Sequence, residues 1–336
     1  MMTDEGRSES DEAVEPTQQR SRKQKLIIRM NDSGFEEDLG SPPEPPGLRV
    51  RLKEQFHSGG QFSSWYRQYG TIGYRLQREK EATFHPCRSL ARQPQLTSES
   101  RCKLISWLIP VHKHFRLSFE CCCLAVNIID RFLETTPVAP DCFQLVGVTA
   151  LLLASKKVEV CSPRITHLLS LCCDVFTREQ LCNLECLILM RLDFHLSSPT
   201  LAFFLDYYTR SVEEVERDSE MTQRNHFCDV AQLVCELSLA DYAFNKYPPS
   251  LIARCALRLV SEMTMTEHRL LEPIAHPLFR SDGDETDNIW ENIAEHSIRD
   301  GTCPMKENHS LAQECKDNLK LLVSLNQESL NLLLKM

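Results

Sequence analysis

The sequence predicts an all-α protein in which a five-helix block is followed by a second, related block, with a disordered tail ahead of both. Three observations carry this prediction. Residues 98 to 195 read as five consecutive helical segments with almost no glycine, and their apolar residues return every three or four positions. Within them, the run Asn127-Ile128-Ile129-Asp130-Arg131-Phe132-Leu133 sets a carboxylate in an apolar helix, where an unpaired charge costs roughly several kcal/mol. Arg101, one helix earlier in an equally apolar stretch, is its expected partner. Last, the order Leu239-Ala240-Asp241-Tyr242-Ala243-Phe244, Pro248-Pro249, then apolar Leu251 to Val260 echoes Ile129-Asp130-Arg131-Phe132, Pro140 and Val146 to Ala154.

The chain divides into a regulatory tail (1–61), a leading helix and linker (62–96), a first block (97–196) and a second block (197–336) with a long acidic loop. The tail mixes acids, serine, the basic cluster Arg20, Arg22, Lys23 and Lys25, and Pro42-Pro43-Glu44-Pro45-Pro46, with no sustained period. Ser41-Pro42 fits a proline-directed kinase, and Asp32-Ser33-Gly34 loosely fits a phosphodegron; both signals are weak. Phe62 to Lys80, carrying Trp65, Tyr66, Tyr69, Tyr74 and Leu76, is expected to form an amphipathic helix weakened by Gly70 and Gly73. Thr97 or Ser98 then caps a helix with Leu104, Trp107 or Leu108, Val111 and Phe115 inward, kinked near Pro110. Ser118 opens the next, with Phe119, Cys122, Val126, Ile129 and Leu133 on its stripe. The third, Asp141 to about Lys157, is apolar on all sides and is expected at the centre of the others. Ser162-Pro163 signals a short fourth helix (Ile165, Leu168, Leu169), and Thr177 with Gln180 forms a capping box for the fifth. Ser198-Pro199 repeats the cap-plus-proline device at the block boundary. The acidic stretches Ser281 to Asp287 and Asp300 to Pro304 read as loop, and Ser310 with Gln313 caps a closing helix.

A net charge of -9 and a pI near 5.7 argue against a nucleic-acid surface, which shows a basic excess. The longest apolar run, Leu145 to Ala154, is too short to cross a bilayer, and Met1 to Glu15 is acidic rather than basic then apolar. An intracellular protein, nuclear and/or cytoplasmic, is expected. Sixteen cysteines in such a chain read as reduced thiols, and Cys121 to Cys123, Cys142, Cys172, Cys173, Cys182, Cys186, Cys235 and Cys255 as small hydrophobes in apolar helices. Cys182 and Cys186 share a helical face, but no Cys-x-x-Cys knuckle accompanies them, so neither a metal nor any other cofactor is expected. A Gly-rich phosphate loop, a Gly-x-Ser-x-Gly elbow and a His-Glu-x-x-His pair are all missing from the sequence. An enzyme is not expected, nor a small-molecule substrate.

Four runs in order resemble the cyclin box: Ser100-Arg101-Cys102-Lys103-Leu104-Ile105-Ser106-Trp107-Leu108, Ala125 through Leu133, Gln144-Leu145-Val146-Gly147, and Leu152-Leu153-Ala154-Ser155-Lys156. The resemblance covers about residues 62 to 330 and is strongest before Leu196. It implies tandem five-helix cyclin-box repeats and an activating, non-catalytic subunit of a cyclin-dependent kinase, which presses on the kinase's mobile helix and shifts its population toward the active form. By position it implies that Lys156 and Glu185, with Glu159 beside them, contact the kinase, and that Arg101 and Asp130 hold the box together. Taken alone, Lys156 and Glu185 read as ordinary solvated charges. On that basis Glu185→Ala is expected to leave the fold intact and weaken kinase binding.

Two departures from the family stand out. The apolar patch that recruits Arg-x-Leu peptides in some cyclins is degenerate: Ser100 and Lys103 replace two members while Leu104 and Trp107 remain. A lysine there repels an arginine-bearing ligand. Lys157-Val158 stands where related cyclins often carry an aromatic and an acid. The alternative from another class is a cyclin-fold adaptor or scaffold that activates no kinase. Lys306-Glu307-Asn308 matches a KEN degradation signal, though a tripeptide arises readily by chance.

Overall fold

The computed structural model of the protein describes residues 60–215, 221–271 and 309–327. The expected tail with its basic cluster, Ser41-Pro42 and Asp32-Ser33-Gly34 lies outside these residues, as do the acidic loop and Lys306-Glu307-Asn308. Regular structure among the described residues is helical throughout. A leading helix α1 (Gly60–Phe84) precedes α2 (Ser98–His114), α3 (Phe119–Thr135), α4 (Phe143–Val158), α5 (Ile165–Ser170) and α6 (Arg178–Arg191), which form the first block. The second block holds α7 (Leu201–Val215), α8 (Met221–Ala240), α9 (Pro249–Leu271) and α10 (His309–Leu325). Short 3-10 turns, Pro140–Cys142 and Tyr242–Lys246, lead into α4 and α9.

One central helix organises each block. Every residue of α4 from Phe143 to Ser155 is buried except Gln144, because α2, α3, α5 and α6 surround it. Gly147 allows the closest approach: a Cβ there would lie 2.8 Å from Leu104 Cδ1 of α2. In the second block α9 is packed by α7, α8 and α10, and its buried stripe runs through Leu251, Ala253, Ala256, Leu257 and Val260. The echo in the sequence is therefore an echo of elements, α3, turn, α4 against α8, turn, α9. It does not extend to the acids: Asp130 is buried, whereas Asp241 is half-exposed and caps its own turn by accepting from the Ala243 amide at 2.9 Å.

Helix starts follow local hydrogen bonding. Thr97 and Ser100 form a capping box on α2, Ser118 accepts from Cys121 N on α3, and Thr177 and Gln180 exchange bonds of 3.2 and 2.8 Å on α6. Three expected starts are displaced. On α5 the cap position falls to Arg164, with no side-chain bond, so Ser162 caps nothing. For α7 the cap is Thr200, which accepts from Phe203 N at 3.1 Å, while Ser198 Oγ is buried without a partner. Closing helix α10 begins at His309, and Gln313 donates forward to Asp317 at 2.9 Å instead of back to a cap. Pro110 lies inside α2, which continues to His114.

The leading helix runs through Gly70 and Gly73 and packs on α7, where Tyr74 stacks on Tyr207 with ring centroids 4.4 Å apart. Its Glu81 reaches the start of α9: Oε1 accepts from Ser250 N at 2.7 Å and Oε2 from Ser250 Oγ at 2.9 Å. A carboxylate from a distant helix thus satisfies the N-terminus of α9, where the helix dipole favours negative charge. No helix among the described residues is long and apolar enough to cross a membrane. Cys142, Cys173 and Cys186 are exposed, which corrects their reading as packing thiols; Cys182 is half-buried against the first core, and Cys121 to Cys123, Cys172, Cys235 and Cys255 are buried.

Candidate functional site

Arg101 and Asp130 meet where the two blocks join. The guanidinium of α2 binds the carboxylate of α3 through both prongs, Nε to Oδ1 at 2.8 Å and Nη2 to Oδ2 at 2.7 Å, with side chains 1% and 4% exposed. Burial pushes the guanidinium pKa down, but the Asp130 carboxylate more than reverses this and holds it above its ordinary value. Arg101 also crosses the seam: Nη1 donates to the carbonyls of Leu239 at 3.1 Å and Ala240 at 3.4 Å, the unpaired acceptors at the end of α8. From the second block Asn245 Nδ2 donates to Asp130 Oδ2 at 3.3 Å, and Tyr242 lies under the guanidinium at 5.6 Å. Sequence reasoning placed this pair inside one block; the seam contacts were missed, since they span well over a hundred residues.

A cavity of about 70 Å³ adjoins the pair, lined by His85, Asn127, Asp130 and Asn245 among others. Two polar atoms facing this region, His85 Nε2 and Asn127 Oδ1, are buried without a partner, and burial lowers the pKa of His85. Elsewhere along the seam Lys113 of α2 binds Glu236 of α8 at 2.5 Å, and Thr200 donates to Glu120 of α3. The blocks are joined by polar contacts at several points, not merely strung together.

Lys156 and Glu185 join α4 to α6, and Glu159 follows directly after α4. Lys156 Nζ at the end of α4 sits 2.7 Å from Glu185 Oε1 of α6. Glu185 is only 6% exposed, so it is not a solvated helix charge, whereas the Lys156 side chain is 30% exposed. Glu159 turns inward: its Oε1 accepts from both the amide and the hydroxyl of Ser118 at 2.7 Å, adding a negative charge at the start of α3. Lys157 and Val158 beside them are exposed.

On α2, Ser100 is engaged in the capping box and Lys103 binds Glu99 at 2.6 Å, both side chains open to solvent. Leu104 is buried against Gly147 and Trp107 is half-buried on the first core, so Lys103 dominates the exposed edge of this patch. The deep thiols are poor nucleophiles: burial pushes Cys122 up to about 12 and Cys172 up to about 11, so the thiolate is scarce at neutral pH. Among the described residues no group of three or more His, Cys, Asp or Glu side chains is placed to hold a metal ion.

Two stacked helical units, each wrapped round a central helix, with a buried ion pair of the first hydrogen-bonded to the second across the seam, define a protein of the cyclin class. Family models for the cyclin N-terminal domain and the cyclin C-terminal domain match residues 72–197 and 199–316. The chain belongs to the cyclin family. It is 44% identical over 322 residues to cyclin-O protein B of Xenopus laevis, covering 94% of this chain and 80% of that one. To human cyclin-O it is 46% identical over 265 residues, 79% of this chain and 67% of the relative. A viral cyclin from herpesvirus saimiri shares the fold with a TM-score of 0.56 at 20% identity, covering 74% of this chain and 96% of its own.

Proposed function

We propose that this cyclin is the activating subunit of a cyclin-dependent protein kinase, controlling cell-cycle or differentiation-linked phosphorylation, and that it works in the nucleus, the cytoplasm or both. Membership of the cyclin family is the observation that carries the proposal. The surface around Lys156, Glu185 and Glu159 is the proposed docking face, and its build supports that role. Lys156 is anchored by a buried acid yet keeps its flank open, so a partner meets a preorganised cation. The first block is rigid beneath it, since α4 is buried over nearly its whole length. Binding only the active arrangement of the kinase stabilises that arrangement by the difference in affinity between the two states.

The test is to co-express the full chain with each cyclin-dependent kinase, recover complexes and assay a proline-directed peptide substrate. Capture with stimulated phosphorylation is expected from at least one kinase, and Lys156→Ala is expected to cut recovery about tenfold, roughly 1.4 kcal/mol of binding. Failure to retain any of them sinks the proposal. Capture without stimulation selects the adaptor reading instead. The burial of Glu185 changes how its own variant is read: Glu185→Ala removes an internal partner of α4, so its melting temperature must accompany any binding result.

A further inference from the structure

Three Ser/Thr-Pro dipeptides fall within the described residues, Thr136-Pro137, Ser162-Pro163 and Ser198-Pro199, and the fold treats them differently. Ser198 is 7% exposed with its hydroxyl sealed from solvent, so a kinase cannot reach it in the folded chain. Thr136 is pinned: its amide donates to the Phe132 carbonyl at 2.9 Å and its carbonyl accepts from Gln93 Nε2 at 2.8 Å. Ser162 is neither sealed nor pinned. It lies between α4 and α5, partly exposed, with no hydrogen bond to its hydroxyl, two residues from Val160, which is 85% exposed.

The backbone leaves the helical region on both sides of it, with bends at Val160 and Cys161. Glu159 (φ -93, ψ 153) and Arg164 (φ -69, ψ 141) are extended, and Pro163 holds Ser162 away from the helical region. This explains why the serine that reads as a helix cap is not one: α5 starts three residues later and leaves the hydroxyl free.

We propose that Ser162 is a phosphoacceptor for a proline-directed serine/threonine kinase, and that its phosphate is read at the neighbouring Lys156–Glu159 surface. The γ-phosphoryl group of Mg-ATP passes to Ser162 Oγ. The bond to the β-phosphate oxygen breaks to release ADP, and the hydroxyl proton goes to the kinase's catalytic carboxylate. The product adds a charge of about -1.5 to -2 three residues from Glu159, with exposed Lys157 and Arg164 close in sequence to pair with it. The second half rests on the docking face proposed above; the first half does not.

Full-length protein would be incubated with a mitogen-activated-type proline-directed kinase and Mg-ATP, and the sites mapped by mass spectrometry. Phosphate is expected on Ser162, absent in Ser162→Ala, at least tenfold reduced in Pro163→Ala, and absent from Thr136 and Ser198. An unmodified Ser162 while a Ser-Pro peptide in the same tube is fully phosphorylated overturns the acceptor claim. Recovery of a cyclin-dependent kinase by the phosphorylated chain is then compared with Ser162→Ala, and a change of at least threefold is expected. Equal recovery overturns the readout; recovery by neither overturns the docking face as well, while the mapped phosphate still stands.

Discussion

Two ion pairs, Arg101 with Asp130 and Lys156 with Glu185, each join residues 29 apart in the sequence and each bridge neighbouring helices of the first block. Their surroundings make them different devices. The inner pair is buried on both sides and its spare donors and acceptors are taken up by Leu239, Ala240 and Asn245 of the second block. In the outer pair the acid is buried and the lysine faces solvent, and a single bond of 2.7 Å links them. Breaking a buried pair strands a charge, whereas a half-exposed pair lets water take over. The contrast teaches that burial and the number of further partners, rather than the presence of a salt bridge, separate a pair that fastens the fold from one available to a partner.

The sharpest way to break the contrast is Asp130→Ala, which leaves Arg101 buried and uncompensated. It is expected to cost about 3–5 kcal/mol, read by chemical denaturation, and a change below about 1 kcal/mol would contradict the inner pair's role. Replacing both partners with apolar residues of similar volume should recover most of that loss. Next comes Glu81→Ala, which uncaps α9 at Ser250; a cost of about 1–2 kcal/mol is expected, with earlier hydrogen exchange at the first turn of α9. Unaltered exchange there would show that water replaces the carboxylate. Glu185→Ala should cost about 1 kcal/mol and Lys156→Ala less, while kinase recovery falls in both. A Lys156→Ala variant that unfolds like Asp130→Ala would erase the distinction.

The smallest effect expected is one of pH. His85 beside the inner pair has its pKa lowered, first by burial, so the unfolded chain binds a proton more readily than the folded one. The stability from its neutral form is therefore complete above the unfolded value near 6.5 and is lost as pH falls below it toward the folded pKa, by up to about 1.4 kcal/mol per pH unit for one proton. Melting curves from pH 7.5 to 5.5 should fall more steeply for the native chain than for His85→Phe. Parallel curves would exclude His85 as the source.

What could be read in advance follows the range of the forces. Apolar periodicity located the first-block helices and singled out α4 as central, because it acts within one helix. Thr97, Ser118 and the Thr177 and Gln180 box were legible for the same reason: a cap acts across three residues. The Ser162 and Ser198 starts misled because each helix has its cap position two residues beyond its serine, at Arg164, which makes no side-chain cap bond, and at Thr200, which accepts from Phe203 N. Glu185 was misjudged because a charge every few residues on α6 looks solvated until α4 is laid against it.

The chain's own order of residues determined the helical class, the family, and the need of Asp130 for a cation, since each depends on composition and spacing along one or two helices. Tertiary structure alone decided that Glu81 caps a helix 169 residues away and that Arg101 closes the end of α8. Those bonds join groups with no local rule between them; they exist only once two buried faces have been pressed together and each polar group left inside must find an acceptor or donor there.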